Sequence, residues 1–278
     1  GRLMEQVQAS AFLAHPYGNP TIGWPSDILS WTSEDLGKFF TTYYAPNNCT
    51  LVISGDVEPD AIFALARKYF EPIPAQTPPP PIRTKEPEQQ GERRVVVEAE
   101  AQTPLLQFAY HSLAAADADM PALELLMRIL TDGDSSRLYR ALVESGLASF
   151  IGGQLVPTAE PFLYTVSATA TDGTPLGAVE AAMLKELDEV RANGIAPTEL
   201  ARAKKQLHAR FVFDTDSITN IAHQLGYFET IAGVELFGSI EDRVQAVSLD
   251  AVADAARTML ASANRTIGWF EPQAGPCR

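Results

Sequence analysis

The chain has 278 residues, more than an average single domain, and 46% of them are hydrophobic, so one large or two medium cores can be buried. Its 35 acidic and 21 basic residues leave a net charge of −14, which repels phosphate backbones and anionic headgroups and argues against nucleic acid or a membrane surface as partner. No apolar run reaches the roughly 18 to 20 residues that span a bilayer, and Gly1–Ala11 is polar and mixed in charge rather than signal-like. Cys49 and Cys277 stand too far apart in sequence to form a disulfide framework or a CxxC metal site.

Leu3, Val7, Ala11 and Phe12 recur at helical spacing, so the chain is expected to open on a helix that ends before His15–Gly18. Thr32 and Asp35 form an [ST]xx[DE] capping pair ahead of Leu36, Phe39, Phe40, Tyr43 and Tyr44, the pattern of an amphipathic helix stopped by Pro46. A strand over Thr50–Ser54, a Gly55–Asp56 turn and a helix over Pro59–Phe70 should follow. From Glu71 to Glu92 there are seven prolines and almost no apolar periodicity, which reads as a semi-rigid linker and a domain boundary.

Beyond it the pattern predicts strands over Arg94–Ala99 and Leu105–His111, then helices near Pro121–Leu130 and Ser136–Glu144. Strands near Phe150–Val156 and Phe162–Thr169 come next. Helices are expected over Leu176–Ala192, Pro197–Asp214, Ile218–Ile231, briefly near Ile240, and over Leu249–Leu260, before a last strand, Thr266–Phe270.

Thr32–Thr50 can be laid over Ser248–Thr266 without a gap at an offset of 216 residues. Leu36 falls on Val252, Tyr44 on Leu260, Asn48 on Asn264 and Leu51 on Ile267. Helix-then-strand patterns also recur by chance, so duplication and coincidence both stand at this point. Under duplication the second copy begins near Arg93, and a complete first copy would need roughly 120 residues upstream of Gly1.

The residues do not name a reaction. Zinc peptidase chemistry needs imidazoles and a carboxylate on one helix face, as in HExxH or HxxEH, and neither motif occurs. His15, His111, His208 and His223 lie more than about ten residues apart. They are ordinary surface or half-buried histidines unless the fold gathers them. No GxSxG elbow, catalytic thiolate neighbourhood or phosphate-binding glycine loop is present. Asp132–Ser136 around Gly133 reads as a turn with a serine cap before Leu138, or as a loop that also faces a substrate chamber. Carboxylate pairs such as Glu186 with Glu189, or Asp214 with Asp216, read as solvated helix faces. No catalytic, metal-ligating or substrate-binding residue is assigned.

The run Ala11–Asp56 contains HPYGNPTIG, the TSEDL cap, YYAPNN and a strand ending in Gly55 and Asp56, and it closely resembles the insulinase-like or pitrilysin-like zinc peptidases. GDSSRLYRALVESG, Gly133–Gly146, resembles the start of that family's second domain core. The resemblance implies an α/β protein of the α+β type, with two homologous domains of mainly antiparallel sheet covered by helices. The first would be incomplete here: residues 1–75 its remnant, 76–92 the proline-rich linker, 93–278 the second domain. It implies an intact parent that is a zinc metalloendopeptidase, closing with a second homologous half around a peptide substrate. The family's HxxEH zinc site would fall upstream of Gly1, leaving this chain inactive alone, with zinc only in the parent. Non-catalytic halves of the family instead donate an Arg and a Tyr from an LRxxxGLxY-like segment. Here Leu142–Ser149 reads LVESGLAS, with Val143 and Ser149 at those places. That favours the zinc-bearing half over the donating one, with a half that has neither equipment, a scaffold subunit, as the alternative. A bacterial periplasm or cytoplasm is the expected compartment, and the exposed remnant is expected to self-associate or to be more mobile than the second domain.

Overall fold

The computed structural model describes residues 1–273. Five strands form one sheet in the order β1-β5-β2-β4-β3: β1 is Arg93–Glu100, β2 Leu105–His111, β3 Ala148–Leu155, β4 Leu163–Ala170 and β5 Arg265–Gln273. Only β1 and β5 pair in parallel; the β5–β2, β2–β4 and β4–β3 ladders are antiparallel. The expected mainly antiparallel sheet under helices is thus present. The final strand takes an inner place, so every β5 residue from Thr266 to Phe270 has a neighbour on both sides.

Alternation along β2 gives the sheet two unlike faces. Leu106, Phe108 and Tyr110 point into a core shared with α5 (Met120–Thr131), α6 (Leu176–Asn193), α7 (Pro197–Asp214) and α10 (Leu249–Met259). The other face carries Ala109, and against it packs α1 (Arg2–Ala11) through Leu3, Val7 and Ala11. The helix can approach because β5 has Gly268 there: a Cβ would lie 2.3 Å from Val7 Cγ2. Phe12, just past the end of α1, is buried here as well, beside Phe162 and Tyr17.

The arm between these points carries α2 (Pro25–Ser30), which the apolar pattern did not announce, α3 (Ser33–Tyr43) and α4 (Pro59–Phe70). The capping box forms as expected: Asp35 N–H donates to Thr32 Oγ1 at 3.2 Å and Thr32 N–H donates to Asp35 Oδ2 at 3.0 Å. The strand expected over Thr50–Ser54 does not form. A strand needs a neighbour to accept and donate its backbone bonds, and no described strand pairs with this one. Leu36, Phe39, Phe40, Tyr44, Leu51, Phe63 and Tyr69 are consequently exposed.

Other differences are local. The segment Ser136–Glu144 winds as a π-helical stretch over Tyr139–Glu144, the short helix near Ile240 extends as α9 over Val234–Ala246, and α8 occupies Ile218–Ile231 as expected. No regular element lies between Phe70 and Arg93.

The helix and turn of the two matched segments agree at the offset of 216 residues, whereas the strand that follows forms only in the second. Helix Ser33–Tyr43 corresponds to Leu249–Met259, and the single turn Pro46–Asn48 to Ser262–Asn264. Asn48 Nδ2 donates to Tyr43 O and Asn264 Nδ2 to Met259 O, both at 2.9 Å. The caps correspond as well, with Ala251 N–H donating to Ser248 Oγ at 3.1 Å.

Candidate functional site

The fold gathers two of the four histidines, from positions 96 residues apart in sequence, at one cavity of about 330 Å³. Its lining comes from the turn after α1 (His15), the linker (Lys85, Glu86, Gln89), the end of β2 (His111) and the turn before β5 (Asn264). Asn264 Nδ2 donates to His111 O at 3.1 Å and to Met259 O at 2.9 Å, which leaves Asn264 Oδ1 as the acceptor facing His111 Nδ1 at 3.3 Å. The His111 proton therefore sits on Nδ1. His15 Nδ1 accepts from Tyr17 N–H at 3.2 Å, so its proton sits on Nε2. Among the described residues neither Nε2 has a hydrogen-bond partner, and both are buried.

Glu86 holds this corner together, accepting from the backbone N–H groups of Leu13, Ala14 and His15 at 2.7, 2.9 and 2.9 Å. Burial pushes its carboxyl upward, but the three donors outweigh that and hold it below the ordinary carboxylate value. Burial also holds His111 below the ordinary histidine value, so its neutral form is favoured. This cluster was invisible in sequence, since a lone Glu in a proline-rich stretch carries no signal.

Zinc, which the resemblance implies for the parent, needs at least three such donors together. Among the described residues no group of three His, Cys, Asp or Glu is placed to hold a metal ion, so these residues do not fit it. His208 instead pairs with Glu241 on the surface, and His223 lines a second cavity of about 500 Å³ between the end of β3 and α7–α9. Cys49 is exposed and pairs with no cysteine among the described residues; Cys277 lies outside them.

The Asp132–Ser136 loop turns at Gly133, φ +76°, with Ser136 N–H donating to Gly133 O at 3.0 Å. The expected serine cap is not made: Ser136 Oγ is buried without a partner among the described residues, and the segment continues as a π-helical stretch. Arg137 spans from here to α7, bidentate to Glu199 at 2.8 and 2.8 Å. Val143 packs half-buried on the core and Ser149 donates to Thr169 O at 3.4 Å, so neither offers a charged or phenolic group to a partner.

The architecture is a mainly antiparallel sheet covered by helices, with its last helix and turn echoed in the arm. Residues 30–207 match the family model described as the Peptidase M16 inactive domain, and the chain belongs to that family. It is 29% identical over 227 residues to the zinc protease PqqE of Helicobacter pylori, covering 80% of this chain and 51% of that protein. Over 271 residues it is 26% identical to a mitochondrial-processing peptidase subunit beta of Lentinula edodes, covering 93% and 58%. The chain thus spans little more than half the length of these curated relatives. Solved structures share its fold: a protease from Helicobacter pylori has a TM-score of 0.92 at 24% identity, covering 98% of this chain and 67% of that one. A peptidase M16 inactive domain from Pseudomonas fluorescens has a TM-score of 0.88 at 20% identity, covering 100% and 66%.

Proposed function

We propose that the chain is part of one half of a zinc-dependent endopeptidase and supplies scaffold and chamber wall for peptide hydrolysis, with the zinc site outside it. The observation that carries this is the match of residues 30–207 to the inactive M16 domain, in relatives named as zinc proteases. In this reading residues 1–75 are the end of a first peptidase-family unit, 76–92 the linker and 93–278 the second unit, and a homologous half or subunit closes over the peptide. The strand-like segment Thr50–Ser54 supports the division, since its counterpart β5 is an inner strand with neighbours on both sides. The parent's zinc would lower the pKa of a bound water and polarise the scissile carbonyl. This chain's residues hold the sheet and helices against which that site is built.

The second reading is a non-catalytic partner or scaffold subunit of a two-subunit peptidase, and a relative named as a processing-peptidase subunit supports the two-subunit part of it. Expressing the polypeptide together with its upstream coding region, then measuring bound zinc and cleavage of a quenched fluorescent peptide, separates the two. A tightly bound zinc with chelator-sensitive cleavage is expected. A longer polypeptide without HxxEH and without zinc would overturn the catalytic reading and leave the scaffold one.

A further inference from the structure

The chain passes between the sheet-bearing body, residues 93–273 with α1, and the arm carrying α2–α4 at two places, once after α1 and once through the proline-rich stretch. Both passages meet at Glu86. After α1, the backbone N–H groups of Leu13, Ala14 and His15 converge on its carboxylate. That of Tyr17 goes to His15 Nδ1 at 3.2 Å and that of Gly18 to His15 O at 3.0 Å. Successive backbone N–H groups aimed at one anion form a nest, and charge-assisted hydrogen bonds of this kind are about twice as strong as neutral ones.

The proline-rich stretch is tied at its ends by other groups. Asn47 and Gln76 exchange bonds at 2.9 and 3.0 Å on the arm side, and Gln89 Nε2 donates to Arg265 O at 2.9 Å on the body side. Between those ties Glu86 is the side chain that joins the stretch to the turn after α1. Proline supplies stiffness along the stretch but no hydrogen-bond donors to anchor it.

We propose that Glu86 is a carboxylate latch: seated in the Leu13–His15 nest, it clasps both passages between arm and body, and neutralising it frees the arm while the body stays folded. The groups around it are Lys85, Glu88 and Glu160 on the cavity rim, His15 and His111 on its floor, and Arg93, whose guanidinium donates to Ser10 O at 3.0 Å. The hydrogen-bonded Glu86 carboxyl titrates below its ordinary value, so the latch is complete above the unfolded value of about 4.3 and is lost as pH falls through the lower folded value. Charging His111 adds a positive neighbour that favours ionised Glu86, so histidine titration does not open the latch.

Amide exchange of the full chain tests this, read as protection of Leu13–His15 against that of β2 and β4. E86Q, which keeps the shape but loses the charge and one acceptor oxygen, should lower protection at Leu13–His15 by about tenfold or more and leave β2 and β4 unchanged. The natural chain should show the same loss as a step below about pH 4.3, and E86Q should show no step. Three results would each overturn the latch: protection in E86Q within about twofold of the natural chain, a step near about pH 6.5 that follows the histidines, or β2 and β4 losing protection together with the turn.

Discussion

Thr32 caps an eleven-residue helix and Ser248 caps another, each followed by a single tight turn closed by the same Asn-to-backbone bond. Beyond that turn the two copies differ. Val252 is 0% exposed and its counterpart Leu36 56%; Ile267 is 1% exposed and its counterpart Leu51 57%. Local signals therefore suffice for the helix, the cap and the turn, whereas the strand and the buried face require two flanking strands that only the second copy has. Helix-forming information lies within one segment; strand-forming information is shared among several.

Substituting matched positions tests that contrast most severely. Ile267→Ala should destabilise the body by about 2–5 kcal/mol in denaturant unfolding, because it opens a cavity between β5 and the helices. Leu51→Ala, at the equivalent place in the first copy, should cost less than about 0.5 kcal/mol in this chain. Equal losses would show that Thr50–Ser54 is packed after all.

A somewhat smaller effect is expected where α1 meets β5. Gly268→Ala places a Cβ 2.3 Å from Val7 Cγ2 and 2.9 Å from Leu3 Cδ1, so α1 must shift, at about 1–3 kcal/mol. Loss of exchange protection in α1 with β2 and β4 unchanged is the expected signature.

The caps should differ in reach more than in size. Ser248→Ala and Thr32→Ala each remove a cap worth about 1 kcal/mol. The first should lower the global unfolding midpoint, because α10 belongs to the core. The second should show only as faster exchange in α3, which is exposed.

The smallest effect concerns acid. Arg137, bidentate to Glu199, holds that carboxyl below its ordinary value, so its contribution is present above the unfolded value of about 4.3 and fades as pH falls through the folded one. The body should lose stability in that range, and Glu199→Gln should flatten this part of the pH profile. A steeper profile in the variant would assign the effect to another pair.

Much of the fold was legible in sequence. Pro59–Phe70, Leu105–His111, Pro197–Asp214 and Ile218–Ile231 begin and end where apolar period, proline and cap place them. The repeat was legible because Asn48 and Asn264 hold the same turn, so the offset records a hydrogen bond as well as a pattern. The Thr50–Ser54 strand was misread because its Leu and Ile residues signal a strand whatever lies beside it. The candidate site was not legible in the sequence. Its cluster joins His15, Glu86 and His111 through backbone geometry, and residue spacing does not encode such contacts.

The reading of residues 32–57 as an incomplete copy of residues 248–273 is tested most directly by amide exchange at Thr50–Ser54 and Thr266–Phe270, in this chain and in a longer polypeptide that includes the upstream region. In this chain Thr50–Ser54 should exchange within about tenfold of an unstructured peptide while Thr266–Phe270 is protected by about a thousandfold or more. In the longer polypeptide both should reach the higher level. Strong protection of Thr50–Ser54 in this chain, or none in the longer one, would contradict the reading.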